Sequence, residues 1–169
     1  MNLVLCGFMG CGKSTCGRLL AQAAGLRFVD MDVYIEQAAG CTVREIFARE
    51  GEAGFRARER AACRALGAQD GAVIAAGGGA LCDPENVQAL RKTSRIVFLD
   101  APLGLIRSRL RGDTTRPLLQ TQDAGALYEA RRPLYEAAAD LTVDASGAPE
   151  KVAAHILEWA RTQGLLKNA

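Results

Sequence analysis

Five short apolar runs punctuate the chain: Leu3–Cys6, Arg27–Asp30, Val73–Ala76, Ile96–Leu99 and Leu141–Val143. Apolar residues in them mostly stand side by side rather than alternating with polar ones, which predicts strands buried on both faces, as in a parallel sheet. Helical stretches separate them at Lys13–Ala24, Asp32–Ala39, Val43–Leu66, Pro84–Arg91, Leu103–Leu110 and Ala124–Ala138, and Pro149–Gly164 follows the last strand. Thr42-x-x-Glu45 is a capping box, and Gly25 suits the end of the first helix. Gly51 and Gly54 together predict a break inside Val43–Leu66. Strand and helix in alternation give an α/β layered domain with a parallel sheet. The 169 residues, with no internal repeat or linker, suit one such domain.

Composition narrows the functional classes. A net charge of +2 gives no electrostatic footprint for nucleic acid or a membrane surface. No apolar run approaches the roughly 18 residues of a membrane span, and no basic segment precedes Leu3, so no signal peptide is read. A cytoplasmic protein is expected. The six cysteines form no C-x-x-C pair and there is one histidine, so a zinc site is not expected. Small buried thiols in a reducing compartment account for most of them. Cys11 stands apart, because a loop beside a helix N-terminus can lower a thiol pKa. ATP is expected to protect it from alkylation. His155 is read as structural or surface, and Trp159 as packing.

Ligands of open α/β sheets bind beyond the carboxyl ends of the strands, so the residues after each strand carry the functional argument. After the first stands Gly7-Phe8-Met9-Gly10-Cys11-Gly12-Lys13-Ser14, which fits G-x-x-x-x-G-K-[ST] in its required strand-to-helix setting. Glycines let backbone N–H groups turn toward phosphate oxygens at the positive end of a helix. Lys13 reaches the β- and γ-phosphates and the Ser14 hydroxyl ligates Mg²⁺. A plain glycine-rich turn explains less of the pattern, so a nucleoside triphosphate is the first ligand.

After the second strand come Asp30 and Asp32. One can hold Mg²⁺ through water and the other can orient a substrate hydroxyl; Asp32 could equally cap the helix beginning at Val33. Phe55-Arg56-x-x-Glu59 lies on a helix, where an i, i+3 pair usually sits in solvent, and the residues alone favour that reading. Gly77-Gly78-Gly79 after the third strand exceeds what a turn needs and suggests close approach of backbone to a ligand. The polar stretch Arg111–Gln122 reads as a mobile loop. Its Arg116 could stabilise charge in phosphoryl transfer, an effect of ~10³–10⁵ in rate in favourable cases. Pro133 in Arg131-Arg132-Pro133-Leu134-Tyr135 could kink its helix, and Arg131 could aim inward.

The motif set resembles shikimate kinases over essentially the whole chain: GFMGCGKS, the D-x-D of Asp30 and Asp32, F-R-x-x-E, GGG, RPLL at 116–119 and R-x-P-L-Y at 131–135. The resemblance implies a three-layer P-loop kinase fold like that of the nucleoside monophosphate kinases, with a five-stranded parallel sheet in order 2-3-1-4-5. It implies a single domain over 1–169, a substrate-binding region at about 32–61 and a mobile lid at about 111–123. The implied reaction is ATP-dependent phosphorylation of the shikimate 3-hydroxyl, on the way to chorismate and the aromatic amino acids. Lys13 would contact phosphate, with Gly10, Cys11, Gly12, Ser14, Thr15 and Arg116 also around ATP. Ser14 and Asp30 would hold Mg²⁺. Asp32 would orient the attacking hydroxyl, Arg56 and Arg131 would clamp the carboxylate, and Gly78 and Gly79 would contact the ring through backbone. The resemblance thus reverses the surface reading of Arg56. Arg109 or Arg111 would face the adenine, with the Ser146–Pro149 loop at its rim. A monomer is expected. The rival readings are another small-molecule kinase, of the gluconate type, or a nucleotide-binding protein without catalysis.

Overall fold

A computed structural model of the chain describes residues 1–111 and 123–166. Strands β1 (Asn2–Cys6), β2 (Arg27–Asp30), β3 (Ala72–Ala75), β4 (Ser94–Asp100) and β5 (Leu141–Asp144) form one sheet in the order β2-β3-β1-β4-β5. Every pairing is parallel, as the apolar runs predict. Burial follows position in the sheet. Central β1 and β3 are buried throughout, whereas the edge strands β2 and β5 keep exposed residues. The third strand starts and ends one residue earlier than predicted, and β4 gains Ser94, Arg95 and Asp100, since paired backbone extends beyond the apolar residues.

The helices are α1 (Lys13–Ala24), α2 (Met31–Ala39), α3 (Val43–Gly67), α4 (Pro84–Arg91), α5 (Leu103–Leu110), α6 (Ala124–Ala138) and α7 (Pro149–Thr162). A right-handed crossover from β1 to β2 runs opposite to those from β3 to β4 and β4 to β5, so α1 covers one face and α4 the other. α7 returns to pack on α1, and α3 packs on α4. Gly17 shows how tightly α1 sits: a Cβ there would come 2.6 Å from the Phe28 ring. Leu3, Leu5, Leu20, Ile74 and Ile96 fill the layers and are fully buried.

Three local expectations change. Only Gly51 leaves helical geometry inside α3 (φ 69°, ψ −175°), and Gly54 stays helical. Pro133 does not interrupt α6, which continues to Ala138. The last helix ends at Thr162, before Gly164. The capping box is present as read: the Thr42 hydroxyl accepts from the Glu45 N–H, and Glu45 accepts from the Thr42 N–H. His155 is exposed and Trp159 packs on the core. Among the described residues, no helix is long and apolar enough to cross a membrane.

Candidate active site

The strand order decides which loops meet. The chain leaves β1 toward β2 but leaves β3 toward β4, so β1 and β3 are neighbours at a topological switch point. Their carboxyl ends carry the Gly7–Ser14 loop and the Gly77–Gly79 turn, and β2 beside them ends at Asp30. A cleft of about 710 Å³ opens there, lined by Lys13, Ser14, Thr15, Asp30, Asp32, Arg56, Glu59, Gly77, Gly78, Gly79 and Arg131 among others. Gly10 and Gly12 line it too. Motifs far apart in sequence therefore share one wall because of sheet order alone.

The loop after β1 depends on its glycines. Gly10 (φ 81°) and Gly12 (φ 99°) take left-handed backbone, and Gly12 is the N-cap of α1. At Gly7 a Cβ would stand 2.7 Å from the Leu99 carbonyl oxygen. The Lys13 ammonium donates to the carbonyl oxygens of Gly7 (2.8 Å) and Phe8 (3.0 Å) and so lies along the loop. Cys11 is 3% exposed, with its sulfur under the loop 3.7 Å from Lys13 Nζ. The loop thiol singled out in the sequence is therefore buried. Burial also pushes the Cys16 and Cys63 thiols up to about 12, which fits the packing role expected for most of the cysteines.

Asp30, rather than Asp32, caps α2. Its Oδ1 accepts from the N–H groups of Asp32 (3.1 Å) and Val33 (3.3 Å). Its Oδ2 accepts from the Ser14 hydroxyl at 2.9 Å, tying β2 to the start of α1. Two hard oxygen donors side by side suit Mg²⁺, which binds a few protein oxygens and keeps waters and phosphate oxygens as its other ligands. Among the described residues, no group of three or more His, Cys, Asp or Glu is placed to hold a metal on its own.

The glycine turn is the hub of the other half of the cleft. A Cβ at Gly79 would stand 2.6 Å from Arg56 Nη1, and one at Gly78 would stand 3.4 Å from Arg131 Nη1. A Cβ at Gly77 would meet Asp32 Oδ1 and Glu59 Oε2, both at 3.1 Å. Together the three glycines make room for four charged groups from three helices: Asp32 from α2, Arg56 and Glu59 from α3, Arg131 from α6. Arg56 donates to Glu59 at 2.8 Å and lies against the Phe55 ring. Glu59 is 1% exposed, so the solvated surface pair favoured by spacing alone is overturned. Burial pushes the Glu59 carboxyl above its ordinary range; Arg56 offsets part of this and Asp32 adds to it.

Tyr135, buried and with its phenol pushed well above the ordinary value by that burial, donates to the Gly78 carbonyl and braces the turn. In the sequence Tyr135 stands within R-x-P-L-Y with no role of its own, and Glu59 reads only as half of a solvated pair with Arg56. Their i, i+4 spacing from Arg131 and Phe55 was the available signal, because it puts each on the face of a neighbour that turns inward. Phe47, Val43 and Arg44 on the first turns of α3 also line the cleft, and the Phe47 and Phe55 rings lie 4.9 Å apart.

A smaller cavity of about 280 Å³ adjoins the loop on its other side, between Cys11, Thr15, Arg109, Gly147 and Pro149. Arg109 borders both cavities and donates to the Gly10 carbonyl at 3.1 Å, whereas Arg111 borders neither. Arg116 and the rest of the expected lid from 112 to 122 lie outside the described residues.

The chain matches the family model described as shikimate kinase over residues 9–161. The chain belongs to the shikimate kinase family. The shikimate kinase of Geobacter sulfurreducens is 46% identical over 165 residues, covering 95% of this chain and 91% of that one. The shikimate kinase of Parasynechococcus marenigrum is 50% identical over 147 residues, covering 84% and 76%. The structure of the shikimate kinase of Acinetobacter baumannii, solved in complex with shikimate, superposes with a TM-score of 0.92 at 37% identity, covering 97% of this chain and 94% of that one. Family membership and the five-stranded parallel sheet agree with both expectations from the motifs.

Proposed function

We propose that this chain transfers the γ-phosphoryl group of ATP to the 3-hydroxyl of shikimate, giving shikimate 3-phosphate and ADP in the route to chorismate and the aromatic amino acids. Membership of the shikimate kinase family supports the reaction. One geometric observation carries the choice of acceptor: Arg56 and Arg131, from two helices, converge on Gly78 and Gly79 while Asp32 faces the same turn across Gly77. Two guanidinium groups suit a carboxylate, which they bind by paired charge-assisted hydrogen bonds. A carboxylate and bare backbone suit hydroxyls. A small acid bearing several hydroxyls matches that set.

In this reading the amides of Gly10, Cys11, Gly12, Ser14 and Thr15 and the ammonium of Lys13 hold the phosphates. Ser14 and Asp30 hold Mg²⁺, which when bound neutralises charge on the phosphate oxygens. Asp32 accepts the hydrogen bond of the attacking 3-hydroxyl and takes its proton as the new P–O bond forms and the bond to ADP breaks. Arg56 and Arg131 fix the carboxylate, so the hydroxyl is aimed before it reacts. Arg116, assigned by its motif, adds positive charge where it develops on the transferred group. The cavity bordered by Arg109, Gly147 and Pro149 takes the adenine, which favours Arg109 over Arg111. The chain acts as a single domain, with a substrate region at about 32–61 and a lid at about 111–123, as a cytoplasmic monomer without nucleic-acid or membrane partners.

The test is MgATP-dependent ADP release with shikimate, beside quinate, gluconate and AMP. Turnover with shikimate alone, lost in Asp32→Asn and Arg116→Ala, is expected. Binding of ATP with no turnover of shikimate overturns the acceptor while leaving the nucleotide site intact.

A further inference from the structure

The glycine turn gathers four charges in one place: Arg56 and Arg131 against Asp32 and Glu59. Glu59 is unusual among them. Its Oε1 accepts from Arg56 at 2.8 Å, but its Oε2 is sealed from solvent and, among the described residues, has no hydrogen-bond partner. A buried carboxylate oxygen left without a partner is costly, and neutralisation by a proton relieves it. Gly77 leaves room for that oxygen and for Asp32 Oδ1 around the one position its missing Cβ would take, each 3.1 Å from it.

The groups facing Glu59 are Arg56, Arg60 and Cys63 from α3, Asp32 from α2, Cys82 from the short 3₁₀ turn at Ala80–Cys82, and Arg131 from α6. Arg60 is engaged with Asp83 at 2.7 Å, and burial keeps the two thiols neutral. Arg56 and Arg131 thus already face Asp32 and Glu59, and Arg56 also pairs with the half-exposed Glu52 at 3.4 Å. A substrate carboxylate would add a further negative charge to a cleft from which it displaces water, and like charges at close range cannot all stay ionised cheaply.

We propose that Glu59 takes up a proton on Oε2 when the carboxylate of the acceptor binds Arg56 and Arg131. It is thereby a positioning residue that keeps the clamp balanced. The proton comes from solvent or buffer, and no bond of the substrate breaks. The inference rests on the assignment of Arg56 and Arg131 as the carboxylate clamp.

The test is titration calorimetry of the full chain with shikimate in phosphate and in Tris, buffers of different ionisation enthalpy, across neutral to mildly alkaline pH. Heats that differ between buffers by the uptake of up to one proton are expected, with Kd tightening as pH falls, by up to about tenfold per pH unit at full uptake. The uncharged methyl ester of shikimate should bind without uptake. Glu59→Gln keeps an oxygen for Arg56 and should bind shikimate without uptake. Buffer-independent heats with shikimate bound, or uptake that persists in Glu59→Gln, overturn the inference alone. Failure of the native chain to bind shikimate overturns the acceptor assignment itself. If Glu59→Gln does not fold by circular dichroism, the comparison of shikimate with its ester on the native chain decides.

Discussion

At position 79 a methyl group would collide with a guanidinium. Gly79 has φ −102°, which any residue adopts, so Gly79→Ala carries no backbone strain. Its Cβ would instead displace Arg56, which is held by Glu59. Charge-assisted hydrogen bonds contribute about 1.5–3 kcal/mol each, so Gly79→Ala should raise KM for shikimate roughly 10- to 100-fold. KM for ATP should change little, and thermal stability should fall, because the buried Glu59 loses its ion-pair partner. Steady-state kinetics against each substrate checks this. Asp30 separates its two duties in the same way. Asn caps a helix about as well as Asp, so Asp30→Asn should leave stability within about 0.5 kcal/mol while shifting the Mg²⁺ dependence of turnover to higher concentration. Asp30→Ala should lose about 1 kcal/mol as well. Denaturant titration and a Mg²⁺ titration of activity distinguish the two.

Helix α3 acts as two rods joined at Gly51. The first rod starts at the Thr42 capping box and brings Val43, Arg44 and Phe47 to the cleft. The second presents Phe55, Arg56 and Glu59. Gly51 joins the two rods with a backbone conformation (φ 69°, ψ −175°) that other residues reach only at a cost of about 1–3 kcal/mol. Open space surrounds its α-carbon, so Gly51→Ala is penalised by backbone alone. It should destabilise by about that amount and raise KM for shikimate more than KM for ATP, measured by denaturant unfolding and kinetics. The two glycines at 51 and 54 predict a break without saying where it falls. At 54 the backbone stays helical, but a Cβ would collide with the Glu50 Cβ, because the turn at Gly51 brings that residue far closer than a regular i, i+4 neighbour, so Gly54 makes room for the break rather than forming it.

At the scale of the whole molecule, the buried carboxyl of Glu59 also links stability to pH. Glu59 has a carboxyl pushed above its ordinary 4.5, so the folded chain binds that proton more tightly than the unfolded chain does. Its contribution to stability is complete below the unfolded value and is lost as pH rises through the folded one. The stability of the native chain relative to Glu59→Gln should therefore increase as pH falls from neutral toward 4.5. Urea unfolding of both at a series of pH values measures it, and a difference independent of pH contradicts the assignment. The sheet order has consequences at the same scale. It sets the phosphate loop beside the glycine turn, and Asp30 beside both, so that Ser14 and Asp30 meet at 2.9 Å although sixteen residues separate them.

The sequence alone determined the parallel α/β class, the phosphate loop, the capping box and the motifs by which the family is recognised. These depend on local spacing: glycines where backbone must turn, apolar runs where both faces are covered, a cap where a helix begins. It determined the identity of Asp32, Arg56 and Arg131 as candidates, the arginine at 56 only through resemblance. Tertiary structure decided what those residues face. Helical spacing leaves Arg56 and Glu59 equally at home in solvent, and only the packing of α3 against the glycine turn buries the glutamate. In the same way Asp30 takes the cap from Asp32, Cys11 turns beneath its loop, and Tyr135 reaches Gly78. Burial is a property of neighbours that meet through sheet order, and one-dimensional spacing does not encode which neighbours those are.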